Sequence, residues 1–141
     1  MASLSPSVAA AAAIVEARLS EAGFRVEPSP LEYRPGEPAA VQSAPRAVMR
    51  VALADPDEGW LLIYDLGSAD AAQRAGQAFA SYLGTGLGQT NYPRDAQFAL
   101  SRLGSTLVFS WWSRERSADP VAAAAAFDVL RAVGQPIDLR P

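Results

Sequence analysis

The sequence contains no cysteine, no histidine and no lysine, so all twelve of its basic residues are arginine. Without cysteine and histidine the chain cannot form disulfides, zinc fingers, thiol nucleophiles or a serine–histidine pair. The net charge of −3 argues against the basic surface that nucleic-acid binding normally requires. We therefore predict a non-enzymatic protein with no catalytic residues, no metal, no cofactor and no nucleic-acid partner.

Long hydrophobic runs are also missing, since no stretch approaches the ~20 apolar residues of a membrane-spanning helix. The alanine-rich stretch 7–19 lacks a basic leader and contains Glu16 and Arg18, so it predicts a helix and not a signal sequence. The chain of 141 residues is predicted to form one domain, residues 1–141.

The hydrophobic pattern predicts helices and strands in the order α-β-β-β-α-β-β-α. Serine residues at the predicted helix starts and glycines at the ends supply the usual capping signals. The predicted elements are a helix from Ser5 or Ser7 to Gly23, strands 24–28, 47–54 and 60–66, a helix 68–84, strands 96–103 and 105–113, and a helix 117–134. The proline-rich stretch 28–45 is predicted to be an extended segment or long loop within the domain.

Two parts of the chain resemble each other, because each has a hairpin, the letters SAD and an alanine-rich helix. The helices carry Phe79 and Leu83 in one part and Phe127 and Leu130 in the other. This pattern indicates a possible ββα-ββα pseudo-repeat. We predict a two-layer α+β fold with an antiparallel sheet of about five strands and helices on one face.

Two adjacent tryptophans, in the stretch LVFSWW, raise the question of what the strand faces do. Neighbouring residues of a strand point to opposite faces, so only one of Trp111 and Trp112 can enter a given core. Trp111 shares its parity with Leu107 and Phe109, which form the natural core face. Trp112 is therefore predicted to lie on the second face.

The strand 60–66 is apolar on both faces, whereas a sheet with one wet face should alternate between apolar and polar residues. Its second face is therefore predicted to be covered or used. The candidate interface or ligand face consists of Trp60, Leu62, Tyr64, Arg50 and Trp112.

Three occupants could cover this face. The proline-rich segment could fold across it through Leu31, Tyr33 and Val41, a second copy could pack on it, or it could receive a small molecule or peptide. We predict an interaction or accessory domain that forms a homodimer through the sheet. The alternative is a binding module that uses the aromatic second face. If the protein is such a dimer, Trp112→Arg should weaken the dimer far more than it destabilises the fold of the monomer.

The sequence contains, in order, the segments LSEAGFRVEP, VQSAPRAVMRV, WLLIYDLGSADAAQRA, FALSRLGSTLVFSWW and DPVAAAAAFDVLRAVG. Their order resembles a group of small bacterial lipoproteins, which are extracytoplasmic domains of unknown function common in actinobacteria and related lineages. Members carry a signal sequence and a lipid-bearing cysteine, and this chain has neither. The resemblance implies an extracytoplasmic domain whose signal and anchor lie outside this chain, or a cytoplasmic relative. That group has no agreed catalytic residues, so it implies none here.

The order of elements also resembles, in topology only, that of class I type III secretion chaperones. Those proteins are homodimers that bind extended segments of their clients. This likeness implies a homodimer with a protein or peptide partner.

Overall fold

The computed structural model describes residues 5–29, 35–53, 59–85, 90 and 92–137. These residues form four helices and six strands. In chain order they are α1 (Pro6–Glu21), β1 (Val26–Pro28), α2 (Ala39–Gln42), β2 (Arg46–Val51), β3 (Trp60–Asp65), α3 (Ala69–Gly84), β4 (Ala96–Leu103), β5 (Thr106–Ser113), α4 (Pro120–Arg131) and β6 (Gln135–Pro136).

The three long helices begin at side-chain caps. The Ser5 hydroxyl accepts a hydrogen bond from the Val8 N–H, and Ser68 and Asp119 do the same for α3 and α4. Each cap satisfies one of the N–H groups that a helix start leaves without a partner. Alanine, the strongest helix former, fills much of α1 and α4.

All six strands form one antiparallel sheet in the order β1-β2-β3-β5-β4-β6. The hairpins β2–β3 and β4–β5 lie side by side, because β3 pairs with β5 at the centre. The β4–β5 turn contains Gly104 with φ of +58°, a left-handed conformation that glycine adopts without steric cost. The predicted α+β class with an antiparallel sheet is confirmed, and the two-residue strand β6 raises the predicted five strands to six.

The sheet carries helices on both faces. Helix α3 packs on the predicted core face, which carries Leu107, Phe109 and Trp111. Helices α1 and α4 differ from the prediction because they pack on the opposite face, over Leu61, Ile63, Val108 and Trp112. The reason is that β3 is apolar on both sides, and each apolar side has to be removed from water.

The pseudo-repeat holds for the strands and fails for the helices. A two-fold axis that exchanges the antiparallel strands β3 and β5 stands normal to the sheet, so it would keep both helices on one face. Instead Phe79 of α3 and Phe127 of α4 lie in the cores on opposite faces. The similarity is therefore one of strand order alone.

The proline-rich segment lies partly outside the described residues, and Leu31 and Tyr33 belong to that part. Its described portion contains the short helix α2, which was not predicted. Val41 of α2 is fully buried in the core that α3 covers. This segment therefore helps to cover the sheet face that carries Leu62 and Tyr64.

Candidate functional site

The five residues of the predicted interface do not share one face. Cross-strand register pairs Leu62 with Phe109 and Tyr64 with Leu107, so these residues lie on the face covered by α3. Trp112 lies on the other face, next to Phe127 of α4. The predicted grouping of Trp112 with Leu62 and Tyr64 is therefore corrected, because the β3–β5 register assigns Trp111 to their face.

Arg50 and Trp60 are the predicted residues that do meet. They are directly opposite each other on β2 and β3, and the Arg50 guanidinium carbon lies 4.8 Å from the centroid of the Trp60 ring. Both residues are half-buried. The pair is a cation–π contact at one end of the sheet.

Both tryptophans of the adjacent pair are buried. Trp111 lies against Tyr92, with ring centroids 5.4 Å apart, and Trp112 lies against Phe127 at 6.3 Å. Their exposed fractions are 8% and 6%, so neither side chain is available on the surface for a partner. The face that carries Leu62 and Tyr64 is covered by α3, Val41 and Tyr92, and both residues are inaccessible to a partner.

A hydrogen-bonded network of Glu37, Arg46 and Tyr64 links the proline-rich segment to the sheet, and it was not predicted from the sequence. The Arg46 guanidinium donates two hydrogen bonds to the Glu37 carboxylate, at 2.7 and 2.8 Å. The Tyr64 hydroxyl donates to the same carboxylate at 2.9 Å. Arg46 also donates to the carbonyls of Val41 and Gln42, and its guanidinium lies over the Tyr64 ring.

This network is buried, with side-chain exposures of 9% for Arg46 and 4% for Glu37. Burial, together with the negative charge of Glu37, raises the pKa of Tyr64 far above its ordinary value. The phenol therefore stays protonated and serves as a hydrogen-bond donor. Because the carboxylate and the phenol are both engaged in hydrogen bonds, the geometry indicates an anchor for the segment 35–45.

A second polar cluster lies where the β4–β5 hairpin begins and ends. The buried Ser113 hydroxyl donates to Asp95 at 2.5 Å, and the Glu115 N–H donates to the other carboxylate oxygen at 2.9 Å. The hydrogen bond from Ser113, and then the one from Glu115, lower the pKa of Asp95. The Asp95 carboxylate therefore links the start of β4 to the end of β5 by hydrogen bonds.

Asp95 gives a prediction for acid stability. Because its pKa is lower in the folded state, its carboxylate stabilises the fold above the ordinary value of 3.8. That contribution is lost as the pH falls through the lower, folded value. The measurement is the free energy of unfolding in urea, for wild type and Asp95→Asn, at pH 2 to 6. Wild type should be the more stable protein at the upper end of this range, and the difference in stability should shrink towards the lower end.

The cause of this shift is checked with Ser113→Ala. Removing the hydroxyl should raise the pKa of Asp95, as followed by the NMR shift of its side-chain carboxyl carbon. An Asp95 pKa that is the same in both proteins would refute the assignment of the shift to Ser113.

An open groove of about 800 Å³ follows the outer edge of β4. Its walls are residues 96–100 of β4, the outer side of α4 and the residues after it. The described lining residues are Ala96, Gln97, Phe98, Ala99, Leu100, Phe127, Asp128, Arg131, Ala132, Pro136 and Ile137. A neighbouring hollow of about 460 Å³ continues it towards Asp95 and Glu115, and Gln97 lines both.

The backbone of β4 points its hydrogen-bonding groups into this groove at every second residue. The Leu100 carbonyl accepts from the Ile137 N–H, so the backbone groups of Phe98, two residues earlier, point the same way. Strand β6 pairs with β4 only at Ser101 and Arg102. Within the described part of the chain, no strand pairs with the outer side of residues 96–99.

In the part of the chain that the structure describes, these observations define an α+β domain with helices on both sheet faces and one partly open sheet edge. Comparison of the chain with protein-family models, with curated proteins and with solved structures found no match. The resemblance to the lipoprotein group and to the secretion chaperones therefore stays a prediction. Among the described residues, no group of three acidic side chains is placed to hold a metal ion, and no helix has the length and apolar character for a membrane span.

Proposed function

We propose that this protein is a non-enzymatic interaction domain whose partner adds a β-strand to the outer edge of β4. The observation that carries the proposal is the groove beside residues 96–99, where backbone groups face outward and no described strand pairs with them. Strand addition of this kind draws affinity from main-chain hydrogen bonds. The proposal therefore puts the interaction surface at a sheet edge, whereas the sequence analysis expected it on a sheet face.

The other edge of the sheet is less suited to a partner. Strand β1 has three residues, ends at Pro28 and so offers few outward donors. Short edge strands and proline are the usual means by which proteins block unwanted pairing. The chain thus protects one edge, whereas in its described part no strand pairs with the outward backbone groups of Ala96 and Phe98 on the other. Of these groups, the Ala96 N–H donates to the Pro93 carbonyl within the chain.

The groove also provides room for the side chains of an added strand. Alternate residues of a strand point to opposite sides, so a guest on β4 would send one set towards Phe127 and Arg131 of α4. The other set would meet Phe98 and Ile137. Contacts of both kinds can distinguish one guest sequence from another.

The test is amide hydrogen exchange by NMR with peptides selected from a displayed library of eight-residue sequences. We expect a bound peptide to slow exchange of the Phe98 amide at least ~10-fold, the factor that ~1.4 kcal/mol of protection gives. The amide of Val26, which points away from β2 on the opposite edge strand, serves as the control and should be unchanged. Selected peptides that protect other amides and leave Phe98 unprotected would contradict the proposal.

A further inference from the structure

We propose that the occupant of the β4 edge is a second copy of this chain, related to the first by a two-fold axis that passes Gln97 normal to the sheet. This inference rests on the proposed function, because it names the partner of the same edge. Four features support it: the length of open edge, the position of α4, the charges beside Gln97 and the small residues next to those charges.

The open edge fixes where the axis can lie. Ile137 already occupies the position opposite Leu100, and β6 occupies the next two positions. An axis at Phe98 would place Ala96 of the second copy opposite Leu100 and collide with Ile137. An axis at Gln97 avoids this, because it pairs Ala96 with Phe98 of the second copy. Each Phe98 N–H then donates to the Ala96 carbonyl across the axis.

Helix α4 lies in the right place for such a dimer. A two-fold axis normal to the sheet keeps faces, so both α4 helices would lie side by side and antiparallel on one face. Helix α4 contacts both β4 and β5 and so sits over the space between them. Its axis would then lie about two strand spacings from that of its copy, or ~10 Å. Packed helices lie ~8–10 Å apart, so the two sets of contacts can form together.

The charges on α4 of one copy are complementary to those on α4 of the other copy in this arrangement. Asp128 and Arg131 are exposed at 75% and 62% of their side chains, and both line the groove with Gln97. Antiparallel helices place Asp128 of one copy beside Arg131 of the other, twice. At the axis Gln97 meets its own copy, and its amide both donates and accepts hydrogen bonds. Each copy thus presents one acidic and one basic side chain beside the two-fold axis. Such a surface is complementary in charge to a second copy of itself, and less so to a partner that carries charges of one sign.

The small residues beside these charges allow close approach. Ala124 and Ala132 line the two hollows on the same side of α4. Short side chains let helix backbones come near each other without steric conflict. The interface then consists of a short strand pair and one helix pair, which is consistent with a dissociation constant in the micromolar range.

The test reverses the charges of Asp128 and Arg131 by substitution in the full chain. We compare wild type, Asp128→Arg, Arg131→Asp and the double variant by sedimentation equilibrium across ~5 to 500 μM, a range chosen around a micromolar constant. Each single variant places like charges across the axis twice and should raise the dissociation constant at least ~10-fold. The double variant restores opposite charges, so its constant should return to within ~3-fold of wild type. Both residues are exposed, so none of these changes should alter folding.

A matched control lies on the opposite edge of the sheet. Arg25 and Glu27 are an exposed pair 4.0 Å apart, as are Asp128 and Arg131. Arg25→Asp and Glu27→Arg should leave the dissociation constant unchanged. The proposed interface consists of residues of β4 and α4. A chain shortened to end at Ile137 should therefore dimerise with the same dissociation constant.

Several outcomes would overturn the second copy as partner. A monomer at every concentration would do so, as would a dimer indifferent to all three α4 variants, or one lost when the chain ends at Ile137. None of these results decides the proposed function, because protection of the Phe98 amide by selected peptides is measured separately. A failure of the inference and a failure of the edge proposal are therefore distinguishable.

Discussion

Replacing Glu37 with alanine should lower the free energy of unfolding by about 3–5 kcal/mol, the range for removal of one partner from a buried ion pair. The loss arises because Arg46 would remain buried without its carboxylate, and the Tyr64 hydroxyl would lose its acceptor. Urea unfolding followed by tryptophan fluorescence measures the change. Tyr64→Phe removes one hydrogen bond to a charged group and should cost less, about 1.5–3 kcal/mol.

Two controls separate this effect from a general loss of charge. Glu27 pairs with Arg25 at the surface, where both side chains are more than half exposed, so Glu27→Ala should change stability by less than ~1 kcal/mol. Replacing both buried partners, as Glu37→Leu with Arg46→Met, should recover part of the loss, since no charge then remains buried while the Tyr64 hydroxyl still lacks its acceptor. If Glu37→Ala were as harmless as Glu27→Ala, the network could not anchor the segment.

Trp112→Arg should unfold the protein or reduce its stability by at least ~4 kcal/mol, because it buries an unpaired charge and removes the largest side chain of its core. The indole is 6% exposed and lies under α4 against Phe127. The structure thus moves the expected cost from association, where the sequence interpretation put it, to folding. Thermal unfolding followed by circular dichroism provides the measurement.

The control for this variant is Val121→Arg, which introduces the same side chain on α4 at a position that is 77% exposed. Its stability should stay within ~0.5 kcal/mol of wild type. A Trp112→Arg protein that remained folded but lost self-association would restore Trp112 to an interface.

The order of elements could be predicted from the sequence because its signals are local. Strand β4 has the predicted bounds, and α3 begins one residue after its predicted Ser68. Hydrophobic periodicity, serine caps and glycine stops act over a few residues, so a single chain is enough to read them. Helix α2 and strand β6 were missed because both are too short for any periodicity.

The assignment of residues to faces could be predicted within a strand but not between strands. Trp111 and Trp112 were placed on opposite faces of β5, and they are. Linking Trp112 to Leu62 required the register of β3 against β5, and a shift by one residue exchanges the two faces. No turn joins these two strands directly, so nothing local fixes their register. The candidate face failed for this reason.

The Glu37–Arg46–Tyr64 network was missed because its members come from separate elements. Tyr64 and Glu37 are 27 residues apart, and Glu37 lies between two prolines in a stretch without periodicity. The one available signal was Arg46 at the start of β2, a strand that also carries Arg50. A charged residue at the end of a strand is usually solvated, so the sequence favoured the ordinary interpretation.

The pairing of two hairpins at the centre of the sheet has a consequence for the rate of folding. Each hairpin joins neighbouring stretches of chain and can form on a microsecond timescale. The contact between β3 and β5 has to close a loop that contains α3 and all of β4, and such closure is entropically costly. The bond from Ser5 to Asp65 spans 60 residues and depends on further long-range order. The step that limits folding should therefore be the meeting of the two hairpins, not the formation of either.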